Sequence, residues 1–230
     1  MYLIITIRAP LISIKRLDVY QVALTYPFLP PSSIIGSIAF SMSVLGLCEP
    51  ANCLTYIRNL ITHAREFFIK DYRVTFSPFI LKRFRKVLEE KRLPKNPDEI
   101  TKFSDALVRE YTYSQRRFII LNIKDKVDII KEAIFLIERI GDTESLISIE
   151  DVREEDAEEC NKSINTVMHA SRVSNAKGKY TLIKAYDEKG RLENFAVPLY
   201  LIGDYYEVGE IECSNSLCVG DAVIPRGDDW

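Results

Sequence analysis

Two histidines, one tryptophan and nine glycines are all that the 230 residues carry of these types. No glycine pattern spells a phosphate-cradling P-loop or a dinucleotide fingerprint, and no Ser, His and Asp stand in a hydrolase arrangement. Acids are plentiful, yet the one tempting pair for a metal, Asp142 with Glu144, is two carboxylates at i and i+2 of a turn sequence. Long apolar runs are missing: the longest, of about 14 residues, falls short of the ~20 a helix needs to cross a bilayer. There is no low-complexity tract and no internal repeat. The opening MYLIITIRAP lacks a basic n-region and a cleavage site and reads as a strand, so a cytoplasmic protein is expected. Five cysteines include two C-x4-C pairs, Cys48 with Cys53 and Cys213 with Cys218, and a separate Cys160. That spacing is loose for zinc, and His63 and His169 are not placed to complete a site. Free or buried thiols are expected, with local disulfides as the alternative, and neither a metal nor a cofactor.

What is present is a chain long enough for one large domain, or a domain with an elaboration, and a full hydrophobic core. The net charge of -2 hides a division. Residues 1–126 hold 20 Lys/Arg against 11 Asp/Glu, a balance of +9, and residues 127–230 hold 11 against 22, a balance of -11. Such asymmetry suits a first half that meets a polyanion and a second half that meets basic partners or solvent.

The stretch 20–47 organises the chain. It runs extended to Pro30-Pro31, which neither helix nor ladder continues through, and Ser32 and Ser33 then offer N-cap hydroxyls. The helix that follows is apolar almost all round and carries the small residues Gly36, Ser37, Ala39, Ser41 and Ser43, so burial against a sheet is expected. Residues 1–8 read as a central strand, with Lys15 and Arg16 in the next connection. Leu54, Ile57, Ile61, Ala64 and Phe68 recur at helical spacing and predict a second helix, and 67–76 alternates as a strand. From 77 to 115 regular patterning lapses into a basic segment carrying KRFRK at 82–86, and a strand returns at 116–123. The two flanking strands would make a hairpin with a long basic arm at its tip.

Residues 126–140 give the clearest amphipathic helix, with Gly141 placed to end it, and 146–149 reads as a strand. Residues 150–159 hold seven acids and one Arg and read as a solvated loop or helix start. Strands are expected at 179–186, 194–202 and 217–224, the first two around a turn at 187–190. The order strand, helix, strand, arm, strand, helix, strand predicts an α+β sheet with helices on one face.

Three strings add a resemblance. FLPPSSIIGSIA (28–39) is similar to the proline-rich approach to the first helix in the fifth family of CRISPR-associated proteins, RAMP-superfamily subunits that cap the 5′ handle of the guide RNA in Cascade complexes. LVREYTYSQ (107–115) and IGDTESL (140–146) resemble the archaeal type I-A members. The resemblance covers roughly the first two-thirds of the chain. It implies a ferredoxin-like, RNA-recognition-type RAMP core over 1–150, a thumb inserted at about 77–115, and a small acidic β-rich C-terminal subdomain over 151–230. It also implies as partners the crRNA 5′ handle, the Cascade backbone and large subunits, and as further candidates the small subunit and the helicase-nuclease. No membrane is implied.

On these grounds the expected RNA-binding residues are Lys82, Arg83, Arg85 and Lys86 in the arm and Arg109, Tyr111, Tyr113, Arg116 and Arg117 at its return. Lys15, Arg16, Ser32, Ser33, Gly141 and Thr143 are expected to border the handle. Cations neutralise phosphates and tyrosine faces stack on splayed bases, a combination that single-stranded RNA requires. The plain structural alternatives are that Tyr111 and Tyr113 alternate along a strand, one of them buried, and that Gly141 only ends a helix. No catalysis is expected. The rival reading is a metal-independent endoribonuclease that processes pre-crRNA, for which His63 and His169 are the only histidines; a protein-only scaffold is a third.

Overall fold

The computed structural model describes residues 1–17, 23–83, 85–103, 105–173, 177–213, 215–227 and 230. Its centre is a four-stranded antiparallel sheet in the order β3-β6-β1-β7, built from β1 (Tyr2–Arg8), β3 (Ile61–Phe67), β6 (Arg116–Ile123) and β7 (Ser148–Glu155). β1 runs parallel to β3 with β6 between them, and β6 runs parallel to β7 with β1 between them.

Each of these crossovers is helical. α1 (Pro31–Val44) and α2 (Cys53–Leu60) link β1 to β3, and α5 (Val127–Phe135) links β6 to β7. Leu3, Ile5 and Ile7 of β1, with Ile119, Leu121 and Ile123 of β6, face these helices in the largest core cluster. Ile4 and Ile120, on the opposite face, meet Val219, Ala222, Ile224 and Trp230. Because both faces are covered, β1 is a continuous apolar run instead of an alternating one.

Four further groups of strands surround the centre. The hairpin β16 (Ser216–Val219) and β17 (Ala222–Pro225), with β8 (Ala157–Cys160), forms one. β11 (Thr181–Tyr186), β12 (Leu192–Val197) and the short β9 (Met168–His169) form another, and β10 (Gly178–Lys179) pairs with β15 (Glu210–Ile211). A 3-10 turn spans Ala170–Arg172. The last sheet, in the order β13-β14-β4-β5-β2, is made of β13 (Leu199–Ile202), β14 (Tyr205–Val208), β4 (Arg73–Arg83), β5 (Asp105–Tyr113) and β2 (Leu11–Ile12). Among the described residues no helix is long and apolar enough to cross a membrane.

Several expectations need correcting. α1 is capped by Pro30, with Pro31 at its first position and no side-chain cap bond, so Ser32 and Ser33 lie inside the first turn, half-buried. α2 stops at Leu60; Ile61 and Ala64, which continued the helical spacing, belong to β3, which buries residues on both its sides, and Phe68 follows its last residue. The single strand expected at 67–76 is divided by a turn in which Asp71 takes a φ of 71°. α5 ends at Phe135, and Gly141 sits in a separate turn. The acidic stretch 150–159 is strand, in β7 and β8. Pro198 separates β12 from β13, and the single strand expected at 217–224 is the β16–β17 hairpin. Of the run expected to be extended from residue 20 to Pro30, residues 20–22 lie outside the described ones, and the rest makes isolated bridges, Thr25 with Lys15 and Ala23 with Arg109.

The cysteines also differ from the first expectation. Cys48 is bonded to Cys53, as the local alternative had it, but Cys218 is bonded to Cys160 and not to Cys213. β8 lies against β16 in the register Cys218 with Glu158 and Ser216 with Cys160, which brings those two sulfurs together.

Candidate nucleic-acid interface

β4 and β5 form a long hairpin whose register runs from Thr75 opposite Tyr113 to Arg83 opposite Asp105. Eleven residues of β4 at ~3.3 Å each make it roughly 35 Å long. β14 borders β4 only at residues 73–75, and β2 borders β5 only at 112–113, so the far end of the hairpin is two-stranded. At its tip are the short helices α3 (Arg85–Glu90) and α4 (Pro97–Phe103). Arg92 holds the tip together: it meets Glu99 at 3.0 Å and Glu90 at 3.2 Å and lies 4.5 Å over the ring of Phe103. Lys82 and Arg83 end β4, and Arg85 and Lys86 begin α3; their side chains lie outside the described residues.

The root of the hairpin meets the central sheet at the 68–72 turn, and a cleft of about 470 Å³ opens there. Lys70, Arg73 and Arg116 supply its cations against one carboxylate, Asp71, while Tyr113 and Phe118 supply aromatic surface. Tyr113 is 47% exposed, whereas Tyr111, two positions earlier on β5, is buried against Phe79. Arg73 lies 5.6 Å over the ring of Tyr205 and 3.4 Å from Glu207. Arg116 is paired with Glu150 at 2.6 Å but remains exposed. A second cleft of about 910 Å³ on the other side of the same turn carries Lys70, Arg73 and Lys179 against Asp71, Glu207, Glu210 and Glu212. Its excess of carboxylates suits it less to phosphate.

The other residues expected from sequence divide between surface and scaffold. Lys15 is exposed beside Thr25, and Arg16 lies close enough to Tyr206 to oppose the burial that pushes that phenol up. Arg109 is nearly covered and pairs with Glu144 at 2.8 Å and Asp142 at 3.2 Å, tying β5 to the 141–145 turn. Gly141 has a φ of 99°, and a Cβ there would stand 2.5 Å from Ile14 Cγ1, so the position is set by packing. Thr143 is exposed on that turn.

Arg117 requires a correction. Its side chain has no exposure at all: it donates to Glu66 at 3.0 Å and to Thr112 Oγ1 at 2.8 Å. Inward alternation with Ile119 and Leu121 was the signal for this, since neighbouring strand residues face opposite ways. The residues that the sequence reading left out are Lys70, Arg73 and Tyr205, which the turn at Asp71 and the approach of β14 bring to the root.

No protein-family model matches the chain. A protein of Thermoproteus tenax described as CRISPR-associated protein Cas5 is 37% identical over 230 residues, covering 100% of this chain and 99% of its own length. The chain belongs to the Cas5 family of CRISPR-associated proteins. Among solved structures, a CRISPR protein from Archaeoglobus fulgidus shares the fold of this Cas5-family chain with a TM-score of 0.57 at 10% identity, over 96% of this chain and 97% of the other. A chain of a CRISPR RNA-guided surveillance complex aligns over 99% of this Cas5-family chain and 95% of its own, with a TM-score of 0.46 and 13% identity.

Proposed function

We propose that this Cas5-family chain is a non-catalytic subunit of a type I-A Cascade complex that binds the 5′ handle of crRNA and positions the guide for DNA interference. The reading rests on one observation beside family membership: cations and an exposed tyrosine converge on the cleft at the hairpin root. The sheet order β3-β6-β1-β7 with its two helical crossovers supports a ferredoxin-like, RNA-recognition-type core, and the β4–β5 hairpin is the thumb. Handle nucleotides lie along the root, with phosphates on Lys70, Arg73 and Arg116 and a base against Tyr113. Lys15 and Arg16 flank them, and Lys82, Arg83, Arg85 and Lys86 carry the positive charge onward along the thumb. Thr143, Ser32 and Ser33 border the handle without carrying it, and Arg109, Arg117 and Gly141 serve the scaffold.

The backbone subunit lies along the side of the chain and the large subunit at one end of the complex, and the acidic β7–β8 edge faces a basic protein partner. Pairing by the guide then reads the target sequence. The test is anisotropy of a labelled handle oligonucleotide. Binding weakened by salt and by Lys70→Gln/Arg73→Gln is expected, and affinity indifferent to both contradicts the reading.

Processing of pre-crRNA is the second reading, and one observation favours it: folding brings His63 and His169 to a single cavity. Against it, His169 Nε2 lies 3.1 Å from Arg65 Nη2, and a guanidinium only donates, so that nitrogen accepts and its lone pair is engaged. His63 is buried and stacked on Trp230. Incubation with repeat RNA and a chelator separates the two readings: defined cleavage abolished by His63→Ala or His169→Ala establishes the nuclease.

A further inference from the structure

The cavity between the start of β3 and the β11–β12 turn is a built cationic site that the handle reading does not use. Its floor is Arg65, fully buried, with His63, His169 and Glu188 around it. Its rim is Arg58, Lys124, Lys189 and Arg191, of which the last three are exposed. Five permanent cations therefore face it, against the two carboxylates of Asp187 and Glu188.

Both carboxylates are already engaged. Asp187 takes the Arg191 N–H at 2.7 Å and its guanidinium at 2.7 Å. Glu188 takes Arg65 and the Ala64 N–H. Arg58 donates Nε to the Glu188 carbonyl at 2.9 Å. Among the described residues no carboxylate lies within ion-pair distance of Lys124 or Lys189, and the buried Arg65 Nε has no hydrogen-bond partner. The turn is shaped to this arrangement: Gly190 has a φ of 80°, and a Cβ there would come within 2.7 Å of Arg58 Nη2.

The volume is about 100 Å³, several times the ~10–15 Å³ that one water molecule needs. It opens past His169, Lys189 and Arg191 into a groove of about 500 Å³ that adds Arg172 and Glu193. Lys124 follows the last residue of β6 and Arg116 is its first, so the cavity stands about 26 Å from the hairpin root.

The geometry points to a second binding site, separate from the handle cleft, that takes the phosphate group of a phosphomonoester: the dianion in the small cavity and the remainder of the ligand along the groove. A small, multiply cationic pocket favours a compact dianion over the singly charged phosphodiesters of a continuous strand. The source of the monoester is either a free mononucleotide or phosphate, or the 5′-phosphorylated end of an RNA.

Calorimetric titration of the full chain with inorganic phosphate, adenosine 5′-monophosphate, and one oligoribonucleotide in 5′-phosphate and 5′-hydroxyl forms tests this. Phosphate binding is expected, at least tenfold weaker in Lys124→Gln/Lys189→Gln. Gly190→Ala, which removes no charge but displaces Arg58, is expected to weaken it as well. Lys70→Gln/Arg73→Gln leaves it unchanged, which separates this site from the handle reading. A preference for the 5′-phosphate oligonucleotide that the double variant erases assigns an RNA end, and response to phosphate and the mononucleotide alone assigns a free ligand. Absence of binding by every monoester, or binding indifferent to the double variant while its melting temperature is unchanged, overturns the proposal.

Discussion

Glu66 on β3 and Arg117 on β6 meet at 3.0 Å with neither side chain exposed. The same carboxylate accepts the Leu29 N–H at 2.6 Å and the Tyr72 hydroxyl at 3.3 Å, and Arg117 also reaches the Pro27 carbonyl at 3.4 Å. One ion pair thus fastens the proline-rich approach to α1 and the turn at the hairpin root to the central sheet. Burial pushes the Glu66 carboxyl up, with Arg117 and the Leu29 N–H pulling it back, so the pair is costly to bury and costlier to break.

Removing either partner leaves a buried charge alone. Arg117→Met and Glu66→Leu are each expected to lower unfolding free energy by about 3–5 kcal/mol, and the double variant by less than the two together. Urea denaturation of the three variants measures this. Additive losses would show that the two groups act independently.

How much of this was legible beforehand depends on the kind of signal. β1 and β6 were plain as apolar runs, α1 was plain from its proline lead-in, and the turn at 187–190 from its Asp and Gly. One tyrosine is buried and the other exposed, as the strand alternative had it, but residues two apart share a face, so alternation did not foretell it: Tyr111 is covered by packing on Phe79, and Tyr113 lies at the open root. β3 was hidden because burial on both faces erases alternation, and its Ile61 and Ala64 happened to continue a helical spacing. The convergence of His63 and His169 was not legible at all. It arises where the end of β12 pairs with β9 at Phe195 and His169, more than 100 positions from β3.

The two disulfides differ in the chain they close. Cys160–Cys218 spans 58 residues and Cys48–Cys53 only 5. Loop-closure entropy gives about 4 kcal/mol for the first and about 2 kcal/mol for the second. Cys160→Ser/Cys218→Ser should lower the melting temperature more than Cys48→Ser/Cys53→Ser. Thermal scans of both pairs check the order, and equal losses would remove the entropic account.

His169 carries a pH dependence of known sign. Its folded value lies below the ordinary 6.5, through burial first and Arg65 second. The unfolded chain therefore binds the proton first, and the stabilising contribution, full above the unfolded value, is lost as pH falls below about 6.5 toward the folded value. Melting temperatures of the wild type should fall more steeply from pH 7 to pH 5 than those of His169→Gln, which keeps an acceptor for Arg65. Parallel curves would contradict this.

At the hairpin root, removing a cation that neutralises a phosphate should flatten the salt dependence of handle binding. Lys70→Gln and Arg73→Gln are each expected to reduce the slope of log affinity against log salt by about 0.7, the single-strand value per phosphate. Arg117→Met, where it folds, should leave the slope untouched. Titrations of the labelled handle at several salt concentrations measure the three slopes.

The most direct measurement is the RNA carried by the protein isolated from its own cells, sequenced from the 5′ end and mapped by ultraviolet crosslinking. Handle binding at the hairpin root predicts a small RNA of uniform 5′ sequence, crosslinked at Tyr113 and its neighbours on the 68–73 turn. Protein free of RNA, or crosslinks that avoid the hairpin root, would contradict it.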